Sequence, residues 1–343
     1  MPDTGPVTDR ERLDKLLLGA SRTFAINIPM LPGLLRDSLT LGYLLLRNAD
    51  TLEDAYRWPK ARRLIELEEY HALILHPDDQ AAERFGSRFD NVQEIDNPDH
   101  LDLLRQTPYL LAELRRLPPD YAEVILSHVA RVTRRMQSWV ARHDDSNRLQ
   151  LKRLSELDDY CYSVAGIVGE LVTSLIALYR PALEKGRLLF LRTLETGVGA
   201  GLQLTNIIKD SFRDHQEGRY YIPQEYLPLD GGSAVERMKP MFAYAYRYLC
   251  LGVEYACTLP EPDLDIRKAV LVPLMLAAAT LVLLLGRLED LFAGMDVKIS
   301  RESVAEILAL VDHVAGENGA VIRAWREITG PLAQLHGGYA ATA

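Results

Sequence analysis

Residues 34–55, LLRDSLTLGYLLLRNADTLEDA, decide how this chain folds. Apolar residues recur every three or four positions and cover several faces at once, the pattern of a helix with neighbours on most sides. Along it Tyr43, Arg47, Asp50 and Asp54 follow a 4, 3, 4 spacing that aligns them on one stripe, with Glu53 at its edge. Carboxylates and an arginine on an otherwise buried helix are costly unless something compensates them. Taken alone, the stripe fits equally a solvated helix end with an internal Arg–Asp pair.

Outward from this segment the same periodicity predicts helices over 10–20, 60–75, 101–116, 120–142, 156–179, 187–215, 239–258, 266–292 and 303–310. Asp and Ser commonly stand at their starts, and Pro or Gly punctuate their ends. No run of short β-branched strands is present; residues 220–223, YYIP, are extended at most, and 78–99 read as polar loop. With no linker or low-complexity stretch, the expectation is one all-α domain over residues 10–330. A frayed N-terminus over 1–9 and a flexible tail over 331–343 flank it.

The chain has 343 residues, with 39 Lys and Arg against 48 Asp and Glu, hence a net charge of −9. That balance excludes a nucleic-acid binder working through bulk positive charge. Hydrophobic content of 48% and charged content of 25% are those of a globular protein. Cys161, Cys250 and Cys257 have spacings that fit neither a disulfide framework nor a CxxC metal site, which points to a reducing, cytoplasmic setting. The opening MPDTGPVT lacks the basic and then apolar run of a secretory signal. Residues 269–286, AVLVPLMLAAATLVLLLG, are 18 without a charge, just short of the ~20 that a membrane span needs. Pro273 and the small residues Ala277, Ala278 and Ala279 fit a central buried helix better than a span, and no apolar anchor is expected at the C-terminal end.

A second stripe changes the weight of the first. In residues 201–214, GLQLTNIIKDSFRD, Gln203, Asn206, Asp210 and Asp214 recur at 3, 4, 4 on a helix that begins mostly apolar. Two such stripes facing each other across a bundle gather carboxylates that call for cations. Oxygen-only ligands select Mg²⁺, or Mn²⁺, over zinc, and Mg²⁺ is held by a few carboxylates together with substrate phosphates. With Arg22, Arg47, Lys209 and Arg219 at hand, the expected ligand is a diphosphate bound through magnesium, which stabilises the departing group. A third segment, 159–171, DYCYSVAGIVGEL, offers Ser163, Ala165, Gly166 and Gly169 as a smooth wall for a close-packed chain or an isoprenoid tail. Tyr160 within it is either a packed aromatic or a π-face and proton relay for a carbocation.

Ser21-Arg22-Thr23-Phe24, the segment from Tyr43 to Asp54 ending in DTLED, YCYSVAGIVG at 160–169 and QLTNIIKDSFRDHQEGRYYIPQE at 203–225 together resemble the squalene/phytoene synthase family. The resemblance covers roughly residues 13–308. It implies an all-α isoprenoid-synthase bundle with a central apolar tunnel, and head-to-head condensation of two allylic diphosphates through a cyclopropyl intermediate. Carried over residue by residue, it implies Asp50, Glu53 and Asp54 as the first magnesium motif and Asp210 and Asp214 as the second. It implies Ser21, Arg22, Tyr43, Arg47, Lys209 and Arg219 on diphosphate. Phe24, Val164, Ala165, Gly166, Gln203 and Asn206 fall in the substrate pocket, and Tyr160 handles protons or stabilises cations. The segment Val297-Lys298-Ile299-Ser300-Arg301 resembles the basic loop of squalene synthases that helps bind NADPH, which makes Lys298 and Arg301, with Arg22, Arg47 and Lys209, cofactor contacts.

The activity so implied joins two farnesyl diphosphates to presqualene diphosphate and reduces it with NADPH to squalene. Dehydrosqualene, hydroxysqualene, presqualene diphosphate itself and phytoene are the alternative products. An inactive scaffold of the same family is the alternative of another class. The chain departs from the pattern at Arg213, where an acid is usual, at Lys209 for arginine, at Leu274 for glutamine, and at Leu285-Gly286-Arg287, where squalene synthases carry a Tyr-Asn-Asn-like string. The greasy product suggests peripheral contact with a membrane; oligomeric state and substrate chain length are not legible in the sequence.

Overall fold

Asp9 accepts the backbone N–H of Arg12 through its side chain at 2.9 Å and so starts α1, Arg10–Ala20. The computed structural model of the chain describes residues 9–223, 226 and 234–340. Residues 1–8 of the expected frayed terminus, 341–343 of the expected tail, and Gln224 and Glu225 of the last motif lie outside the described residues. Among the described residues almost everything regular is helix. The strands are the two-residue β1, Leu149–Gln150, and β2, Arg219–Tyr220, paired in parallel with Leu149 opposite Arg219. The all-α expectation holds. The chain divides into two compact units, one formed by the described residues up to Asn147 with Glu170–Glu184, the other by Arg148–Gly169 with the residues from Lys185 on.

The first unit holds α1, α2 (Phe24–Asn27), α3 (Gly33–Glu53), α4 (Lys60–Leu75), α5 (Asp79–Ser87), α6 (Pro98–Arg105), α7 (Thr107–Leu114) and α8 (Pro119–Ala141). At its centre α3 packs against α1, α4, α6, α7 and α8, with Leu35, Leu41, Leu44, Leu45, Ala49 and Leu52 fully buried. Each such leucine contributes roughly 1.5–3 kcal/mol of burial free energy. Several polar groups trapped with them are paired: Arg10 donates to Asp37 at 3.0 Å, Asn48 Nδ2 to Thr107 Oγ1 at 3.1 Å, and the Tyr70 hydroxyl to the Leu45 carbonyl at 2.8 Å. The single helix expected over 101–116 is broken at Gln106, because Pro108 in the first turn of α7 has no amide to continue the ladder. The stretch read as loop over 78–99 contains α5, whose N-cap Asp78 accepts the Ala81 amide at 2.8 Å.

The second unit holds α9 (Leu154–Cys161), a π-turn (Tyr162–Gly166) and the first residues of α10 (Ile167–Tyr179), whose remainder belongs to the first unit. It continues through α11 (Lys185–Gln216), α12 (Ala234–Thr258), α13 (Leu264–Gly286), α14 (Leu288–Phe292), α15 (Arg301–Val314) and α16 (Asn318–Ala340). Here α11 is the spine and packs against the π-turn, α12 and α13. Glycine is required at two of these approaches. A Cβ on Gly199 would stand 1.9 Å from the Ala165 carbonyl oxygen, and one on Gly169 1.9 Å from that of Glu195. The helix expected over 156–179 therefore carries a π-turn where it touches α11, a feature that periodicity does not reveal.

In α13 every residue from Ala269 to Ala278 is buried. By length and composition this helix and Leu154–Tyr179 could cross a membrane, yet 67% of the most apolar window of α13 is buried within the protein, as expected for a core helix. The helix expected over 266–292 stops at Gly286, and Arg287, with φ −131°, separates it from α14. Arg267, fully buried, donates to the carbonyls of Ala315 at 2.6 Å and Leu259 at 2.8 Å and to Asn318 Oδ1 at 2.7 Å, closing the ends of three segments. Residues 331–340, read as tail, continue α16. The burial of Trp325, Thr329 and Leu332 and the stacking of Trp325 on Tyr246 at 6.2 Å dock this helix.

Candidate active site

In the first unit the end of α1 delivers Ser21, whose Oγ accepts the amide of Phe24 at 3.1 Å and opens α2. The Phe24 ring lies 4.8 Å from that of Tyr43 on α3. One turn on, Arg47 donates to the Tyr43 hydroxyl at 2.7 Å and to the Asp50 carboxylate. The 4, 3, 4 stripe thus brings Tyr43, Arg47 and Asp50 into one bonded row, with Asp54 exposed at its end. Burial lowers the Arg47 pKa, but Asp50 and Tyr43 outweigh it and leave the guanidinium firmly charged. Its Nε is buried with no hydrogen-bond partner among the described residues, an unused donor of the kind an anionic oxygen satisfies. Arg22 is exposed.

Glu53 sits apart from the row, on the inner face of α3 at 3% exposure. Burial first, then the charges of Asp54 and Asp50, push its carboxyl well above the usual range. Its neighbour Asp54, by contrast, is exposed. His100 on α6, which sequence reasoning missed, lies within electrostatic reach of the same row. Burial, then Arg47, hold its pKa down, with Asp50 partly opposing.

In the second unit Asp210 and Asp214 lie four residues apart on α11. Asp210 is held by Lys209 at 3.3 Å and by Arg213 at 3.1 Å, while Arg219 of β2 bonds Asp214 at 2.5 Å and Glu217 at 2.5 Å. Burial raises the Asp214 pKa, and Arg219 works against it. Asp214 and Arg219, with Ser211, Tyr221 and the apolar Ile207 and Ile222, line a small, partly open recess. Gln203 is half-buried and Asn206 exposed on the same helix. The π-turn carries Val164, Ala165 and Gly166 against α11. Tyr160, just before it, is 5% exposed and packs on Tyr221 with ring centroids 4.7 Å apart. Tyr221 stands inside the GRYYIP string at 218–223, but its role depends on a contact far along the chain. Also unforeseen, Asp158 accepts the hydroxyls of Tyr244 at 2.5 Å and Tyr248 at 2.9 Å, tying α9 to α12.

The basic loop joins this half. A Cβ on Gly294, at φ +80°, would meet the Phe212 ring at 2.8 Å, so the turn after α14 lies on α11. Lys298 pairs with Asp296 at 2.5 Å. Asp296 is held low by that bond first and also by Lys209 and Arg213, so these cations share one neighbourhood. Arg301 opens α15 and is exposed.

No three His, Cys, Asp or Glu side chains among the described residues group tightly enough to hold an ion by themselves. Magnesium takes one or two carboxylates and completes its shell with water and phosphate oxygens. Within each unit, taken by itself, an aspartate pair of this kind, and in the first unit the unused donor of Arg47, is chemically suited to such a partial shell.

A family model described as squalene/phytoene synthase matches residues 17–303. The squalene synthase of Gibberella zeae is 28% identical over 303 residues, covering 84% of this chain and 61% of that protein. That of Eremothecium gossypii is 29% identical over 299 residues, covering 83% of this chain and 64% of that protein. The match thus spans less than two thirds of the length of these curated relatives. Among solved structures, TcSQS with a bound ligand is similar at a TM-score of 0.79 and 27% identity over 95% of this chain and 92% of that one.

Proposed function

The chain belongs to the squalene/phytoene synthase family, and from that premise we propose a prenyltransferase that joins two farnesyl diphosphates head to head through presqualene diphosphate and reduces the product with NADPH to squalene. The observation that carries this reading is the row Tyr43–Arg47–Asp50, whose half-buried guanidinium keeps its buried Nε unused beside exposed Asp54.

Asp50, Asp54, Asp210 and Asp214 are the residues that would hold magnesium; when bound, it neutralises charge on the departing diphosphate. Arg47, Lys209 and Arg219 would add fixed positive charge, and Ser21 and Arg22 would donate to diphosphate oxygens. Glu53, buried on the inner face of the same helix as Asp50 and Asp54, is the third acid of the first motif and would join them only with its carboxylate turned to the ion. Tyr160 turns a π-face toward developing positive charge and offers a hydroxyl for proton handling. Phe24 in the first unit, and Val164, Ala165, Gly166, Gln203 and Asn206 in the second, are the candidate contacts for the isoprenoid chains, whose apolar surroundings would keep water from the cations. Lys298, Arg301, Lys209, Arg22 and Arg47 are the candidate contacts for the phosphates of NADPH, which supplies hydride when bound. Release of so apolar a product favours contact with a membrane surface.

Incubation of the purified chain with farnesyl diphosphate and Mg²⁺, with and without NADPH, followed by mass spectrometry of extracted products, tests the proposal. Squalene formed only with NADPH is the expected result. A second reading, condensation without reduction, draws on Arg287, which bonds Asp290 at 2.6 Å where squalene synthases carry a Tyr-Asn-Asn-like string. An unreduced, hydroxylated or cyclopropyl product despite NADPH would favour it. No turnover of farnesyl or geranylgeranyl diphosphate would leave the inactive scaffold.

A further inference from the structure

Three observations within the second unit converge on Tyr221. Its ring lies 4.7 Å from that of Tyr160, tilted by 31°, and the two side chains are 8% and 5% exposed. Its backbone leaves a short parallel ribbon: the Leu149 N–H donates to the Gly218 carbonyl at 3.3 Å and the Leu151 N–H to the Tyr220 carbonyl at 2.9 Å. On the far side of Tyr221, Ile222 is 2% exposed and precedes Pro223, which restricts it to extended backbone. The same ribbon ties the two halves of the chemistry. β1 runs into α9, which carries Tyr160, and β2 contains Arg219, which bonds Asp214 at 2.5 Å. A strand of two residues therefore sets, at once, the cation beside the second aspartate pair and the ring against Tyr160.

We propose that Tyr221 is a positioning residue for Tyr160: it covers one face of that ring, fixes its orientation and keeps water from it, so that the other face meets the carbocation. The inference rests on the reading of Tyr160 as the cation-handling residue. A carbocation that meets water forms a carbon–oxygen bond and releases a proton, giving an alcohol. Loss of the cover should therefore divert product toward alcohol as well as slow the reaction.

The test compares Tyr221→Leu, Tyr221→Phe, Tyr160→Leu and the double Leu variant on farnesyl diphosphate with Mg²⁺ and NADPH, with products read by mass spectrometry and folding checked by circular dichroism. Tyr221→Leu is expected to lower kcat by about 10- to 100-fold, as a misplaced reacting group does. KM should move by less than about twofold, because substrate binding is not the interaction lost, and the alcohol fraction should rise. Tyr221→Phe, which keeps the ring, should retain far more of the wild-type kcat and product pattern than Tyr221→Leu. The double variant should be no slower than Tyr160→Leu, since the first residue acts through the second.

Wild-type products from Tyr221→Leu while Tyr160→Leu is impaired would overturn the proposal and leave the functional reading standing. Additive losses in the double variant, or Tyr221→Phe as damaged as Tyr221→Leu, would overturn it too. Normal turnover by Tyr160→Leu, or no turnover by the wild type, would remove the reading beneath it. If Tyr221→Leu does not fold, Tyr221→Met is judged by the same criteria.

Discussion

Asp50 and Glu53 stand three residues apart on α3, yet one belongs to a partly exposed ionic row and the other to the interior. We expect Asp50→Asn, and likewise Asp210→Asn, to reduce Mg²⁺-dependent diphosphate release by about 10²-fold or more, as removal of one electrostatic stabiliser of a leaving group does. Wild-type rates in either variant would sink the assignment of the aspartate pairs. Glu53 makes a different prediction. Its raised pKa means that the folded chain holds the proton more tightly than the unfolded one. The stability this contributes is complete below the unfolded value and is lost as pH rises through the folded one. Glu53→Gln, neutral at all pH, should therefore unfold at a higher temperature than wild type at about pH 8, with the gap closing toward about pH 4, near the ordinary glutamate value. A thermal scan in which wild type is the more stable at the higher pH would contradict this.

At the scale of elements, the contact of α11 with the α9–α10 segment is backbone against backbone, and Gly169 and Gly199 are what permit it. Gly169→Ala would place a methyl 1.9 Å from the Glu195 carbonyl oxygen, and neither partner is a flexible side chain that could yield. We expect a loss of at least about 3 kcal/mol in urea unfolding, at the upper end of overpacking costs. A loss under about 1 kcal/mol would mean that the two helices separate easily and that the π-turn has some other origin. Sequence periodicity marked both segments as helical and flagged their small residues. It could not place the π-turn, because a wider turn leaves the apolar spacing nearly unchanged while shifting the register of the helix beyond it.

At the scale of the whole molecule, stability rests on apolar cores built without metal: the leucines of α3 in one unit and the unbroken run Ala269–Ala278 of α13 in the other. Chelation should therefore abolish turnover while leaving the helical circular dichroism unchanged, and added Mg²⁺ should restore the rate. Loss of helix on chelation would assign the ion a structural part, as in small metal-dependent domains. Cations of the fold stand beside three of the four aspartates: Arg47 beside Asp50, Lys209 and Arg213 beside Asp210, and Arg219 beside Asp214, so the ion is not needed to offset all of their charge.

The helical class, the buried course of α3 and α13, and the two aspartate stripes could all be read along the chain, because a helix aligns residues three and four apart whatever surrounds it. The bonded row Tyr43–Arg47–Asp50 comes from that local geometry alone. Which edge of the stripe turns inward does not: Glu53 and Asp54 are neighbours in sequence, and the packing around α3 buries one and leaves the other exposed. The same holds for Tyr221 against Tyr160, for the tyrosines on Asp158 and for the basic loop beside Lys209 and Arg213. These partners are distant along the chain, and only folding brings their side chains within the few ångströms over which such contacts act.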